Sequence, residues 1–260
     1  MDILEKIIAR KEVEVAEAKA RVSVSQLEHR PMFDKAPFSA TKWLRNPNKT
    51  GIIAEFKRRS PSKGLINGES RVVDVAEGYL KAGVSAMSVL TDTDFFGGTF
   101  DDLCAARTVV DCPILRKDFM IDEYQILEAK SFGADIILLI AAAISPQRLK
   151  ELAQFAQNLG METLLEVHDE QELNTHFNPY INLVGVNNRN LKTFEVSVET
   201  SIRLAELIPN NCVKISESGI SDPKTIKELK KYGYQGFLIG ENFMKTNDPA
   251  AAIAEFVKEL

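Results

Sequence analysis

The chain has little of what metal or redox chemistry requires. It carries three histidines and three cysteines, and no two histidines stand at metal-ligand spacing, which discounts a zinc site. Cys104, Cys112 and Cys212 are far apart, odd in number and without a CxxC pair. Reduced thiols in a cytoplasmic protein are expected, rather than a disulfide framework. No glycine-rich dinucleotide turn follows a strand. No long basic stretch exists, and the net charge is -5, which argues against a nucleic-acid surface while leaving room for a local anion site. The longest apolar run, Ile136 to Ile144, is too short to span a bilayer. Acids and bases interrupt the first residues, Met1-Asp2-Ile3-Leu4-Glu5-Lys6, too early for a secretory signal.

What is present is a composition able to bury a sizeable core: 45% hydrophobic and 27% charged over 260 residues. That length is close to the roughly 250 residues of a (β/α)8 barrel, so one domain is favoured over two. Residues 1 to about 30 read as helix, with Leu4, Ile7, Ile8, Val15 and Ala18 forming an apolar stripe. Prolines 31, 37 and 47 punctuate a less regular stretch. Residues 1–47 are thus expected to form a helical extension to a barrel spanning the rest of 1–260.

Beyond it the pattern is regular. Strand-like runs begin near Gly51, Ala86, Pro113, Ala134, Met161, Leu183, Cys212 and Gly236. Helical patterns fill the gaps, with start signals at Thr99/Asp102, Ser145-Pro146 and Ser221-Asp222-Pro223. Gly83, Gly133, Gly160 and Gly233 fall where a left-handed cap favours glycine. Strands apolar on both faces and joined by helices indicate a parallel sheet. Eight consecutive units without a dinucleotide turn favour a closed (β/α)8 TIM barrel over an open doubly wound sheet.

The strand ends carry charge. Residues two apart share a face of a strand, which pairs Glu55 with Lys57 and Glu166 with His168. Lys117 ends the third run, Asn187 and Arg189 the sixth, and Glu217 and Ser218 the seventh. Each alone could be a structural ion pair; together, at the ends of successive strands, they point to a composite site on the catalytic face of a barrel. His168 is expected to support the rim through hydrogen bonds, and Lys214 to be a snorkelling surface lysine. Phe95-Phe96 is either ordinary packing or an aromatic wall. Gly219 and Gly240 follow the seventh and eighth strands, where barrels often bind phosphate through backbone N–H groups. The polar stretch from Ser60 to Gly68 suits a surface loop or a mobile lid.

These residues together resemble indole-3-glycerol phosphate synthase. The resemblance rests on Ala54-Glu55-Phe56-Lys57 with Ser60-Pro61-Ser62, Leu115-Arg116-Lys117-Asp118-Phe119 and Glu166-Val167-His168. It continues through Gly185 to Leu191, Ser216-Glu217-Ser218-Gly219-Ile220 and Leu238-Ile239-Gly240, and so covers nearly the whole chain. It implies an enzyme of tryptophan biosynthesis that closes 1-(2-carboxyphenylamino)-1-deoxyribulose 5-phosphate to an indole, releasing carbon dioxide and water without cofactor or metal. By resemblance Lys117 is the general acid at the carbonyl and Glu166 an acid/base partner. Lys57, positioned by Glu55, meets the substrate carboxylate. Asn187, Glu217 and Ser218 bind hydroxyls or order the site, Arg189 shapes it, and Ser60 contacts substrate. Gly219, Gly240 and the backbone of Glu241 cradle the phosphate, the Glu241 carboxylate turning away from it. Phe96, Phe119, Leu138, Ile140, Leu191 and Pro61 form an apolar slot. The implied partner is a phosphorylated small molecule; neither nucleic acid nor membrane is implied, and a monomer is compatible. A Schiff-base aldolase using Lys117 as nucleophile, or a non-catalytic phosphate-binding barrel, are the competing readings.

Overall fold

The computed structural model describes residues 2–190 and 193–260. Eight parallel strands close into a barrel: β1 (Ile52–Phe56), β2 (Ala86–Leu90), β3 (Ile114–Lys117), β4 (Ile136–Ile140), β5 (Glu162–Val167), β6 (Leu183–Asn187), β7 (Val213–Glu217) and β8 (Gly236–Ile239). Each pairs with its sequence neighbours, and β8 closes onto β1 through Ile52↔Phe237, Ile53↔Leu238 and Ala54↔Ile239. The TIM-barrel expectation holds. Barrels of this kind position chemistry at the C-terminal strand ends, and here the period-two alternation does so explicitly.

On β3, Ile114 packs outward among the surrounding helices and Leu115 faces the barrel axis. The alternation sends Lys117 inward and Arg116 outward. The axis itself is filled by Ile53, Ala86, Leu115, Ile136, Leu164, Leu183, Val213 and Ile215. Above this hydrocarbon layer the same inward-facing rows continue as Glu55, Lys117, Glu166, Asn187 and Glu217.

The N-terminal extension departs from the expected continuous helix. It is broken into Ile3–Arg21 and Val24–Glu28, because Ser23 caps a new helix, accepting from the Gln26 N–H. A third short helix, Ala40–Leu44, lies in the stretch expected to be irregular. Its Ala40 and Leu44 are buried with the axial residues and plug the N-terminal end of the barrel. Glu162, at the start of β5, holds it by accepting from Ser39 Oγ (2.6 Å) and the Thr41 N–H (2.9 Å).

The first helix reaches the opposite end. Lys11, only 3% exposed, meets Asp92 at 3.0 Å and Asp118 at 2.9 Å, on the segments following β2 and β3. Asp118 also meets Arg116 at 3.0 Å and accepts from Thr91 Oγ1 at 2.6 Å. Burial would raise the Asp118 pKa, but Arg116 and Lys11 hold it at about 2. An unpaired charge here would be costly, so the cluster is stable only as a complete set.

Two local expectations also change. Thr99 caps the helix Phe100–Val109 by accepting from the Asp102 N–H, but the Asp102 carboxylate is taken up by Thr99 Oγ1 and the Arg58 guanidinium instead of a reciprocal box. Lys214 donates to the Ala205 carbonyl at 2.6 Å, closing the C-terminal end of the helix Glu199–Leu204 rather than lying free on the surface.

Removing the plug tests this arrangement. Leu44→Ala should destabilise the protein by about 2–5 kcal/mol through lost burial and a residual cavity. Denaturant unfolding checks this, with an unchanged midpoint placing Leu44 outside the core.

Candidate active site

The C-terminal strand ends open into a cavity lined by Glu55, Lys57, Lys117, Glu166, Asn187, Glu217 and Ser218. Ser60, Pro61, Phe96, Phe119, Leu138, Ile140 and Arg189 line it as well, with Gly219, Gly240 and Glu241. The sequence-predicted residues therefore converge, apart from Leu191, which lies outside the described residues.

Lys117 is the hub. Its Nζ stands 3.0 Å from Glu166 Oε2 and 2.9 Å from Glu217 Oε2. Across the mouth, Lys57 Nζ meets Glu55 Oε1 at 2.7 Å, while Ser88 Oγ donates to Glu55 Oε2 at 3.3 Å. Glu166 Oε1 accepts from Asn187 Nδ2 at 3.0 Å, and Asn187 Oδ1 accepts the Arg189 N–H at 3.0 Å. Asn187 is thereby fixed in one amide orientation, donor toward the carboxylate.

Three carboxylates face two ammonium groups, and the imbalance separates them. Burial penalises charge on Glu166, but Lys117, His168 and Asn187 favour its ionised form and hold its pKa well below the ordinary range. Burial also raises the Glu217 pKa, Lys117 opposes this, and Glu166 and Glu55 reinforce it; the result is a value of about 7. Burial opposes the Lys117 ammonium, yet Glu166, Glu217 and Glu55 hold its pKa well above the ordinary value. The site thus offers a bound ammonium acid, an ionised carboxylate and a carboxyl group poised near neutrality.

Glu217 depends on a residue whose role the sequence pattern did not reveal. A Cβ on Gly185 would lie 2.1 Å from Glu217 Oε1, so the inward face of β6 must be bare there. Gly240 makes room in the same way for Glu55, whose Oε1 would lie 2.7 Å from a Cβ at that position. Gly219 differs again, with φ +76° and Val196 Cγ1 at 2.4 Å from a built Cβ. The preceding Ser218 has φ 67°, a conformation that costs a non-glycine residue on the order of 1–3 kcal/mol. Asn188 steadies this turn by donating to the Ser218 carbonyl at 3.1 Å and to Ser216 Oγ at 3.0 Å.

The Glu241 carboxylate stands 3.7 Å from Arg189 and 3.6 Å from Lys63, so it is drawn to cations at the rim. Lys63 belongs to the connection after β1, which forms a small antiparallel ribbon, Arg59–Ser60 with Gly64–Leu65. Phe96 packs on Phe119 at 5.9 Å between ring centroids, and Asp92 Oδ1 accepts the Phe95 and Phe96 N–H groups. Phe95-Phe96 thus contributes a wall through Phe96. His168 gives its ring Nδ1 to Glu172 at 3.1 Å, consistent with support of the rim. Sequence reasoning missed Ile3, Leu4 and Ile7, which also line the cavity; the only signal was their apolar stripe on the first helix.

Among the described residues no group of three or more His, Cys, Asp or Glu side chains is arranged to hold a metal, and no helix is long and apolar enough to cross a membrane.

Comparison with known proteins supplies the family. Residues 4–256 match the family model described as indole-3-glycerol phosphate synthase. A Bacteroides thetaiotaomicron protein of that name is 50% identical over 260 residues, covering 100% of this chain and 99% of the relative. The Bordetella pertussis protein of the same name is 41% identical over 259 residues, covering 98% and 99%. Among solved structures, 3-hexulose-6-phosphate synthase from Salmonella typhimurium aligns with a TM-score of 0.61 at 11% identity, covering 80% of this chain and 97% of that one. A chain of the tryptophan synthase complex from Pyrococcus furiosus gives 0.60 at 16% identity, covering 82% and 98%. These structural likenesses show the barrel fold alone.

The pKa of Glu217 gives a testable sign. Its folded value of about 7 lies above the ordinary 4.5, so protonation favours the fold. That contribution is full below pH 4.5 and is lost as pH rises through 7. Glu217→Gln should therefore be more stable than the parent at pH 8, by a few kcal/mol at most, with the gain shrinking toward pH 4.5. Melting curves across that range check it, and a pH-independent difference would contradict the assignment.

Proposed function

The chain belongs to the indole-3-glycerol phosphate synthase family, and we propose that it converts 1-(2-carboxyphenylamino)-1-deoxyribulose 5-phosphate to indole-3-glycerol phosphate, carbon dioxide and water. Membership makes it a carboxy-lyase of tryptophan biosynthesis acting on a phosphorylated small molecule. The observation that carries the mechanistic reading is the Lys117 ammonium held between Glu166 and Glu217 at the barrel mouth.

Ring closure requires the ketone oxygen to gain a proton as the carboxylate-bearing aromatic carbon attacks. Lys117 is the general acid for that step. Loss of carbon dioxide then returns the bonding electrons to the ring and restores aromaticity. Dehydration needs a proton delivered to the departing hydroxyl and one removed from the neighbouring ring carbon, work suited to Glu166 with a lysine partner. Lys57, held by Glu55, meets the substrate carboxylate. Asn187, Glu217 and Ser218 order the site and receive hydroxyls; Arg189 shapes its rim, and Ser60 contacts substrate from the ribbon after β1.

Gly219, Gly240 and the Glu241 N–H cradle the phosphate, with the bare Gly219 backbone allowing close approach. Phe96, Phe119, Leu138, Ile140 and Pro61 enclose the aromatic ring. We assign residues 1–47 to the same domain as the barrel, since this extension reaches both its rim and its base. Three free thiols, two of them buried, support a cytoplasmic setting.

A Schiff-base mechanism would require Lys117 to be a neutral amine. Three carboxylates favour its protonated form, which supports acid catalysis instead. Indole absorbance should appear from the substrate without added metal, and borohydride should trap no adduct at Lys117. Lys117→Ala should reduce kcat by roughly 10²–10⁴-fold in folded protein. Turnover within about threefold of the parent would remove Lys117 from the mechanism.

Gly219→Ala should weaken substrate and inorganic phosphate alike, while a dephosphorylated analogue keeps its affinity. A melting measurement separates this from simple destabilisation. Unchanged phosphate affinity in folded protein would place the anion elsewhere.

A further inference from the structure

His168 directly follows β5 and occupies a position that rim support alone does not explain. Glu172 Oε2 accepts both its backbone N–H, at 2.7 Å, and its ring Nδ1, at 3.1 Å. One carboxylate oxygen thus pins the main chain and the ring together. This fixes which ring nitrogen points inward. The inward nitrogen, Nε2, is buried and has no hydrogen-bond partner, yet it stands 3.7 Å from Glu166 Oε1.

We propose that His168, oriented by Glu172, is a positioning residue that presents an imidazolium N–H to Glu166 and governs how readily that carboxylate gives back a proton. The inference rests on the acid/base role assigned to Glu166. An imidazolium beside Glu166 makes the protonated carboxyl group a stronger acid. Glu166 would then be a base able to release its proton to a departing hydroxyl instead of retaining it.

The two oxygens of Glu166 divide the work. Oε2 meets Lys117, while Oε1 takes Asn187 Nδ2 and faces His168. The 3.7 Å separation is longer than a hydrogen bond, and a modest tightening on substrate binding would complete it, as catalytic contacts commonly do.

The largest charge contributions at His168 come from Glu172 on the helix Glu170–His176, Glu166 on β5 and Glu217 on β7. All three are acidic and favour the imidazolium. Burial works against it, but the carboxylates prevail and the pKa is raised above the ordinary 6.5. The charged form therefore persists to higher pH than in a free imidazole and is lost as pH rises through the raised value. His168 and Glu172 also line a second cavity with Asp169, Arg189 and Arg203.

The chain contains three histidines, so ring 15N–1H spectra of the full-length enzyme can follow His168, assigned by its loss in His168→Gln. It should titrate above 6.5 in the parent and at lower pH in Glu172→Gln. Kinetically, His168→Gln should lower kcat by about tenfold near pH 7 with KM within about threefold, a smaller loss than the roughly 10²–10⁴-fold of a direct acid/base group. The parent's kcat should bend where His168 titrates. That bend should vanish in His168→Gln and move to lower pH in Glu172→Gln.

If His168 titrates at or below 6.5, or the kcat profile keeps its bend in His168→Gln, the proposal is overturned. A change confined to KM overturns it as well. Should His168→Gln fail to fold, Glu172→Gln still decides, because a structural contact alone would not shift the profile. Glu166→Gln separates the two layers of the reading: full activity in that variant would sink the acid/base role of Glu166, whatever the titration of His168.

Discussion

The site is organised by one electrostatic constraint: a buried ammonium shared between two carboxylates. Lys117 lies between Glu166 and Glu217, and losing both partners would leave an uncompensated charge in a low-dielectric setting. Glu166 and Glu217 in turn cannot both hold full negative charge beside Glu55 without raising the proton affinity of one of them. That competition gives chemically identical side chains different working states. Asn187, Ser88 and Gly185 then serve a common purpose, since each fixes or makes room for one carboxylate of the set.

The surrounding fold protects this arrangement on two sides. Outward from β3, Arg116 and Asp118 belong to a second buried ion cluster that includes Lys11 of the first helix. Lys117 lies in sequence between two members of that cluster, so its backbone is anchored immediately before and after. The same Lys11 reaches Asp92, whose other oxygen organises the segment carrying Phe96. The apolar wall and Lys117 therefore share a common support on the N-terminal extension.

Much of this was legible from the sequence because strand alternation is a strict code. Glu55 with Lys57, and Glu166 with His168, could be assigned to one face from their spacing alone. The eight strand–helix units and their glycine caps were legible for the same local reason. What escaped depends on contacts between distant segments. Nothing local marks Gly185 as space for Glu217, and Lys11 is an ordinary helical lysine until β2 and β3 bring Asp92 and Asp118 to it. Ser23 breaks the first helix with a cap lying inside an otherwise helical composition. Ile3, Leu4 and Ile7 form a stripe that reads as generic core, although tertiary packing turns it toward the mouth. The left-handed Ser218 is likewise visible only once the Asn188 contacts are seen.

The hydrocarbon plug at the base has a consequence for traffic through the molecule. Leu44 and Ala40 close the end opposite the charged rim, and the axial side chains between them leave a packed column. The sugar phosphate must enter from above, and carbon dioxide, water and the bulkier indole must depart by that same end. Entry and exit are therefore not independent events. Carbon dioxide and water are small enough to pass beside the indole product, but a new substrate cannot enter until that product has cleared the opening. In such a one-ended vessel the next substrate is admitted only after the largest product has left.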